Sequence, residues 1–241
     1  ALVTKYTKLS DAYLSVIESI KIAATKHHAN THIELVSSTD PDLLEKLEKF
    51  DAIIVPGGFG NRGMEGKINA INFARTRSIP FLGICLGLQL ATIEYARNCC
   101  AIPRAVTSEM DDVTPDDDII IDLIPEQLQI MQKGGTMRLG NYTCTLTQGT
   151  LAHELFTTDT TIERHRHRLE VQNKYCETLE KNGLIISGKF IQSDTNNYLV
   201  EMIELPKTVH PYFIATQSHP EFLSRPDKPH PLFDGLIQAC L

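Results

Sequence analysis

Four short runs of almost purely apolar residues (1–3, 33–36, 52–55 and 81–84) are separated by segments whose apolar side chains recur at helical spacing. Tyr13, Val16, Ile17, Ile20 and Ala24 form one such stripe. Asp40-Pro41 caps a second helical segment that carries Leu44 and Leu47 to Phe50. Residues 67–76, with Ile68, Ile71 and Ala74 inward, and residues 86–97 supply two more. A strand with no polar face must be covered on both sides. Such strands alternating with amphipathic helices therefore predict an α/β fold, a mostly parallel central sheet with helices on both faces.

Beyond about residue 100 the pattern changes. Residues 119–123, 144–147, 164–171, 184–187, 199–203 and 212–215 read as strands with few long helices between them, and 232–239 as a closing helix. This half is expected to add the remaining strands and an antiparallel part to a single domain spanning 1–241. The chain opens at Ala1 without a methionine and runs straight into an apolar stretch, which reads as a domain excised from a longer chain. A net charge of −7 argues against a broad nucleic-acid surface. No apolar run approaches the roughly 20 residues that cross a bilayer, and no signal peptide is evident, so a cytoplasmic location is expected. The six cysteines form no C-x-x-C pair, and neither a zinc ribbon nor a disulfide framework is indicated. The acidic run at 111–118 lacks the spacing of a calcium loop and reads as a solvated loop.

Residues 57–66 form a glycine-rich loop after a strand. Gly58-Phe59-Gly60-Asn61-Arg62-Gly63 matches G-x-G-x-x-G, but residues 66–93 contain no Asp or Glu to hold a ribose. A phosphate loop fails as well, because Ile68 stands where Ser or Thr is required. Two readings remain: a flexible turn, or backbone N–H groups aimed at a developing negative charge.

The next segment selects between them. Gly83-Ile84-Cys85-Leu86-Gly87 is G-x-C-x-G between a buried strand and a helix, the cysteine form of a nucleophile elbow. The small flanking residues permit a tight corner that lifts Cys85 to the start of the helix, where unpaired N–H groups favour a thiolate. The N–H of Leu86 is then placed to donate to an oxyanion.

A nucleophilic cysteine needs a proton carrier and a group to orient it. Nine histidines compete. His219 and Glu221 follow a strand and flank Pro220, which favours extended backbone at His219. In extended chain both side chains face one side. A turn histidine with a solvated glutamate fits the spacing equally well. In residues 164–170, strand alternation places Arg164, Arg166, Arg168 and Glu170 on one side and His165, His167 and Leu169 on the other. Two histidines at i and i+2 supply too few ligands for a metal.

Pro56-Gly57-Gly58-Phe59-Gly60, Gly83-Ile84-Cys85-Leu86-Gly87-Leu88-Gln89 and His219-Pro220-Glu221 stand together in one chain. The combination resembles the class I, or triad, glutamine amidotransferases. Four runs resemble, within that class, the glutaminase domains of CTP synthases: residues 5–13, Gly134-Gly135-Thr136-Met137-Arg138-Leu139-Gly140, Glu163-Arg164-His165-Arg166-His167-Arg168 and residues 219–226. The resemblance spans nearly the whole chain. It implies Cys85 as nucleophile, His219 as general base and acid, Glu221 as its orienter, and the N–H groups of Gly58 and Leu86 as oxyanion hole. It implies that Gly58, Phe59, Gln89, Glu109 and Arg168 hold L-glutamine, with Glu109 on the ammonium and Arg168 on the carboxylate.

The implied reaction is hydrolysis of glutamine to glutamate and ammonia through a cysteinyl thioester, with no metal or organic cofactor in this domain. The ammonia would serve ATP- and Mg-dependent amination of UTP to CTP in a covalently linked amino-terminal synthetase domain. GTP would act as allosteric activator, and the full-length enzyme would be a homo-oligomer. Leu169 departs from the family, which carries an aromatic residue there, as does Thr4-Lys5-Tyr6, where Gly-Lys-Tyr is usual. Residues 101–132 match weakly apart from Glu109. A glutaminase serving another synthase, or a catalytically silent glutamine-binding module, are the alternatives.

Overall fold

The computed structural model describes residues 1–7, 10–123, 137–192 and 197–241. Its first half alternates β1 (Leu2–Thr4), α1 (Leu14–Lys26), β2 (Leu35–Ser37), α2 (Leu43–Leu47), β3 (Ile53–Val55), α3 (Met64–Arg77), β4 (Phe81–Ile84) and α4 (Leu86–Cys99). The second half adds β5 (Ala105–Thr107), β6 (Asp118–Asp122), β7 (Arg138–Leu146), α5 (Leu151–Phe156), β8 (Thr160–His167) and β9 (Glu170–Val171). After these come α6 (Cys176–Lys181), β10 (Ile185–Ile191), β11 (Tyr198–Glu204), β12 (Phe213–Thr216) and α7 (Pro231–Ala239).

Among the described residues, nine strands form one sheet in the order β2-β1-β3-β4-β12-β11-β10-β7-β8. The pairings from β2 through β12 are parallel, and those from β12 through β8 antiparallel. The expected antiparallel part thus continues the main sheet, while β5, β6 and β9 make a small second sheet. The apolar runs have no polar side because both faces are covered. Ile53, Val55, Phe81, Phe213 and Ala215 pack with α2, α3 and α4; Ile54, Leu82, Ile84 and Ile214 pack with α1, α5 and α7. This is the period-two alternation of a strand buried on both sides. No helix among the described residues is long and apolar enough to cross a membrane.

Several expectations are corrected in detail. The glycine loop is shorter than residues 57–66, because α3 already begins at Met64. The second helix starts at Leu43, and Asp40 Oδ1 accepts the Asp42 N–H at 3.2 Å instead of capping a longer helix. The strand expected at 144–147 begins at Arg138. The single strand expected at 164–171 is broken. Alternation holds through His167, with Arg164 and Arg166 exposed and His165 and His167 buried, but the chain bends at Arg168 and Leu169. Glu170 therefore turns inward rather than joining the arginines, and its carboxylate meets His167 Nε2 at 2.6 Å. Of the family-like runs, Lys8, Leu9, Gly134, Gly135 and Thr136 lie outside the described residues.

β3, β4 and β12 are parallel neighbours, so their carboxyl ends share one edge of the sheet. The loop after β3 carries Gly57, Gly58 and Phe59, the corner after β4 carries Cys85, and the segment after β12 carries His219 and Glu221. Ligand sites of open α/β sheets form at this edge.

Candidate active site

Cys85 has φ 53° and ψ −101°, a left-handed conformation unusual for a non-glycine residue, between β4 and α4. Both glycines of the elbow are sterically required. A Cβ on Gly83 would lie 2.7 Å from Ala215 Cβ and 2.9 Å from the Gly87 backbone, and one on Gly87 would lie 2.2 Å from the Val55 carbonyl oxygen. The corner is fixed from the neighbouring strand, where the Thr216 carbonyl accepts the Cys85 N–H at 2.7 Å. Cys85 is 3% exposed. Its sulfur lies 4.0 Å from the Arg166 carbonyl oxygen, and Gln217 Nε2 donates to it at 3.7 Å.

His219 is brought to the same place by β12, and its N–H is anchored on the Arg164 carbonyl at 2.7 Å. Glu221 Oε1 engages Nδ1 of the imidazole at 2.8 Å, which leaves Nε2 for Cys85. Phe222 stacks on the ring with centroids 5.5 Å apart. Burial works against a charged imidazole. The hydrogen bonds and charges of Cys85 and Glu221 outweigh it and push His219 up to about 10. Burial pushes Cys100, Cys176 and Cys240 up to about 11, and Cys144 higher still, so they are thiols at neutral pH.

A cavity of about 260 Å³ opens beside the sulfur. It is lined by Cys85 and by all five residues expected to hold glutamine: Gly58, Phe59, Gln89, Glu109 and Arg168. Glu109 follows β5, and Arg168 sits at the bend after β8. Neither forms an ion pair among the described residues, so the cavity carries one free anion and one free cation. Gln89 is already engaged. Its amide nitrogen donates to the Leu169 carbonyl at 3.0 Å and to Gln217 Oε1 at 3.3 Å, which ties the Arg168 bend to α4. Asn61 Nδ2 donates to Asp111 at 2.7 Å and joins the glycine loop to the segment that bears Glu109.

Sequence reasoning missed Gln217 at the sulfur and Ser108 and His167 on the cavity wall. Only the proximity of Gln217 to His219 in sequence could have signalled it. The histidines of the arginine-rich strand are buried, and among the described residues no group of three His, Cys, Asp or Glu side chains is placed to hold a metal ion. They belong to a buried polar cluster. Arg138 Nη1 donates to Glu170 Oε1 at 3.1 Å, while Glu201 Oε1 lies 2.8 Å from the same nitrogen without hydrogen-bond alignment. His165 Nε2 lies 3.1 Å from Glu201, and His230 Nε2 pairs with Glu163 at 3.1 Å.

Residues 8–239 match the family described as "Glutamine amidotransferase class-I". The chain is 49% identical over 249 residues to CTP synthase of Methanococcus aeolicus, covering 100% of this chain and 45% of that protein. CTP synthase of Caldanaerobacter subterraneus is 50% identical over 244 residues, covering 100% and 44%. The chain thus spans less than half the length of these curated relatives. Among solved structures, the glutaminase domain of Trypanosoma brucei CTPS with bound acivicin superposes with TM-score 0.90 at 31% identity, covering 99% of this chain and 92% of that one. A GMP synthase-like protein of Thermoplasma acidophilum, at 14% identity and TM-score 0.58, shares the fold. With a family match over nearly its whole length and a superposing relative above 30% identity, this chain belongs to the class-I glutamine amidotransferases.

Proposed function

We propose that the chain is the ammonia-producing half of a CTP synthase, and that Cys85, His219 and Glu221 perform glutamine hydrolysis. The observation that carries this reading is the His219–Glu221 pair, set with Cys85 around Gly57 and next to a cavity that Cys85, Glu109 and Arg168 line. Free glutamine bears an ammonium and a carboxylate, and those two side chains match them. Phe59 and Gln89 close the walls, Gln89 by holding the Arg168 bend.

The Cys85 thiolate attacks the side-chain carbonyl carbon of glutamine, and the carbonyl electron pair moves onto oxygen. The N–H groups of Gly58 and Leu86 receive that charge; loss of one such donor costs about 10²–10³ in rate. The His219 imidazolium gives its Nε2 proton to the departing nitrogen, which leaves as ammonia, and a glutamyl thioester remains. His219, now neutral, takes a proton from water, which attacks the thioester and releases glutamate and the Cys85 thiolate. Glu221 holds the imidazole through Nδ1 in both steps.

The relatives named CTP synthase, more than twice as long as this chain, support a linked synthetase domain as consumer of the ammonia, and ATP, Mg and UTP bound there with GTP as activator are what the sequence resemblance implies. L-glutamine is the substrate on this side. Acivicin, bound by the Trypanosoma brucei domain, is expected to bind in the same cavity. The test is labelling with a glutamine-mimicking electrophile followed by peptide mapping. One adduct per chain on Cys85 is expected, together with glutamine hydrolysis that disappears in Cys85→Ala. Labelling at Cys99 or Cys144, or substantial turnover in Cys85→Ala, overturns the proposal. A silent glutamine-binding module would give neither adduct nor turnover.

A further inference from the structure

Lys67 lies on the core-facing side of α3, one turn from Met64 and beside Ile68, and is 1% exposed. No carboxylate among the described residues pairs with it. Buried lysines are ordinarily paired, because an ammonium removed from water without a counter-charge is costly. The position of the ammonium accounts for its retention. A Cβ built on Gly58 would lie 3.7 Å from Lys67 Nζ and 3.5 Å from Leu86 Cδ2. The ammonium therefore sits against the loop residue whose N–H is proposed above for the oxyanion hole. Burial and the nearby Lys5 bring Lys67 down to about 8, and the charge of Cys85 acts in the opposite direction. Lys5, at the end of β1, and Cys85, at the β4–α4 corner, are the charged or titratable groups that act on it among the described residues. At neutral pH Lys67 is therefore mainly a cation.

We propose that Lys67 is a positioning residue for the glutaminase reaction, supplying a fixed positive charge behind the Gly58–Leu86 oxyanion hole. It touches neither substrate nor sulfur. It holds the Gly58 peptide in place and lowers the energy of negative charge as that charge moves from Cys85 to the carbonyl oxygen, in a water-poor site where a preorganised charge acts strongly. The role rests on the proposed assignment of Cys85 and Gly58 to glutamine hydrolysis.

The test compares Lys67→Met with wild type in the intact protein, methionine keeping most of the length and apolar stem of lysine. The expected result is a kcat lower by about tenfold with KM changed by less than about twofold, the pattern of a loss confined to the transition state. The variant should still take up one glutamine-mimicking label on Cys85. That label is the control for the glutaminase assignment itself, since its absence in wild type would defeat that assignment irrespective of residue 67. Wild-type kcat should also decline as pH rises through about 8, a limb that Lys67→Met lacks. An unchanged kcat in Lys67→Met, or a fall matched by a rise in KM, overturns the proposal. Should Lys67→Met fail to fold, the wild-type profile decides alone, because a kcat that stays flat through about pH 8 is incompatible with a required Lys67 cation.

Discussion

A Cβ on Gly57 would stand 2.9 Å from Cε1 of His219 and 3.5 Å from Cβ of Cys85. The side chain missing at Gly57 is thus the space in which the imidazole reaches the sulfur. Gly57→Ala is expected to push the ring away from Cys85 and to lower kcat by about 10²-fold, as a displacement of roughly 1 Å does in other sites. Neither Gly57 nor His219 lines the cavity, so KM for glutamine should change little. A variant with wild-type kcat would show that the ring adjusts without loss.

Glu221 is the second determinant of that ring. Its hydrogen bond and charge help raise His219 to about 10, against burial that would lower it. Glu221→Gln should bring the imidazole back toward its ordinary value and move the basic limb of kcat/KM to lower pH, with kcat down by about 10²–10⁴. The linkage has a definite sign. The folded value lies above the unfolded one, so the stabilisation is complete below about pH 6.5 and is lost as pH rises through about 10. The stability gap between wild type and Glu221→Gln, measured by thermal unfolding, should therefore be widest at low pH and narrow toward pH 10. A basic limb that stays in place would remove Glu221 from its orienting role.

The parts of the site that were legible in the sequence are those where local sterics leave one solution. Cys85 could be read because Gly83 and Gly87 are both needed where Ala215 and Val55 approach, and no other cysteine has such flanks. The parallel half was legible because residues such as Ile53 and Ile54 must both be apolar when the two faces are covered. The bend at Arg168 was not, since nothing local in Arg168-Leu169 breaks a strand; the buried partners of Glu170 do. Residues 138–143 escaped because a strand rich in polar side chains lacks an apolar pattern, and its inward Arg138 is paired only in three dimensions. Nothing in the sequence singled out Lys67 for the same reason: burial of its ammonium depends on a loop outside its own helix.

Arg168 and Glu109 make complementary predictions. Each lines the cavity without an ion-pair partner among the described residues, and each is proposed to hold one end of glutamine. A hydrogen-bonded charge contributes about 1.5–3 kcal/mol, so Arg168→Ala or Glu109→Ala should raise KM by about 10–100-fold with a smaller effect on kcat. Arg168→Lys should recover only part, because an ammonium cannot reproduce the planar fork. Steady-state kinetics over a wide glutamine range separates these cases, and an unchanged KM would take the residue out of the substrate site.

Arg138 tests what the family-like runs around Gly140 and Glu163 contribute beyond chemistry. Its guanidinium is buried between Glu170 and Glu201 and packs on the rings of Tyr142 and Phe190, with centroids 4.3 and 4.9 Å away. Only Glu170 receives an aligned hydrogen bond, which with the neighbouring His167 holds it below the usual carboxylate value despite its burial. Glu201 has the opposite balance. Burial outweighs Arg138 and pushes it up to about 8. Arg138→Met should then cost about 3–5 kcal/mol, because it strands the Glu170 charge. Adding Glu170→Gln should restore much of that loss, since an apolar or neutral replacement of both partners is far less costly than removing one. For Glu201 the folded value exceeds the unfolded one, so wild type should lose stability as pH rises from about 4.5 through about 8, and Glu201→Gln should flatten that decline. Urea midpoints taken across this pH range read both effects. A double variant no more stable than Arg138→Met alone would show that the cost lies in lost packing against Tyr142 and Phe190 rather than in the buried charge.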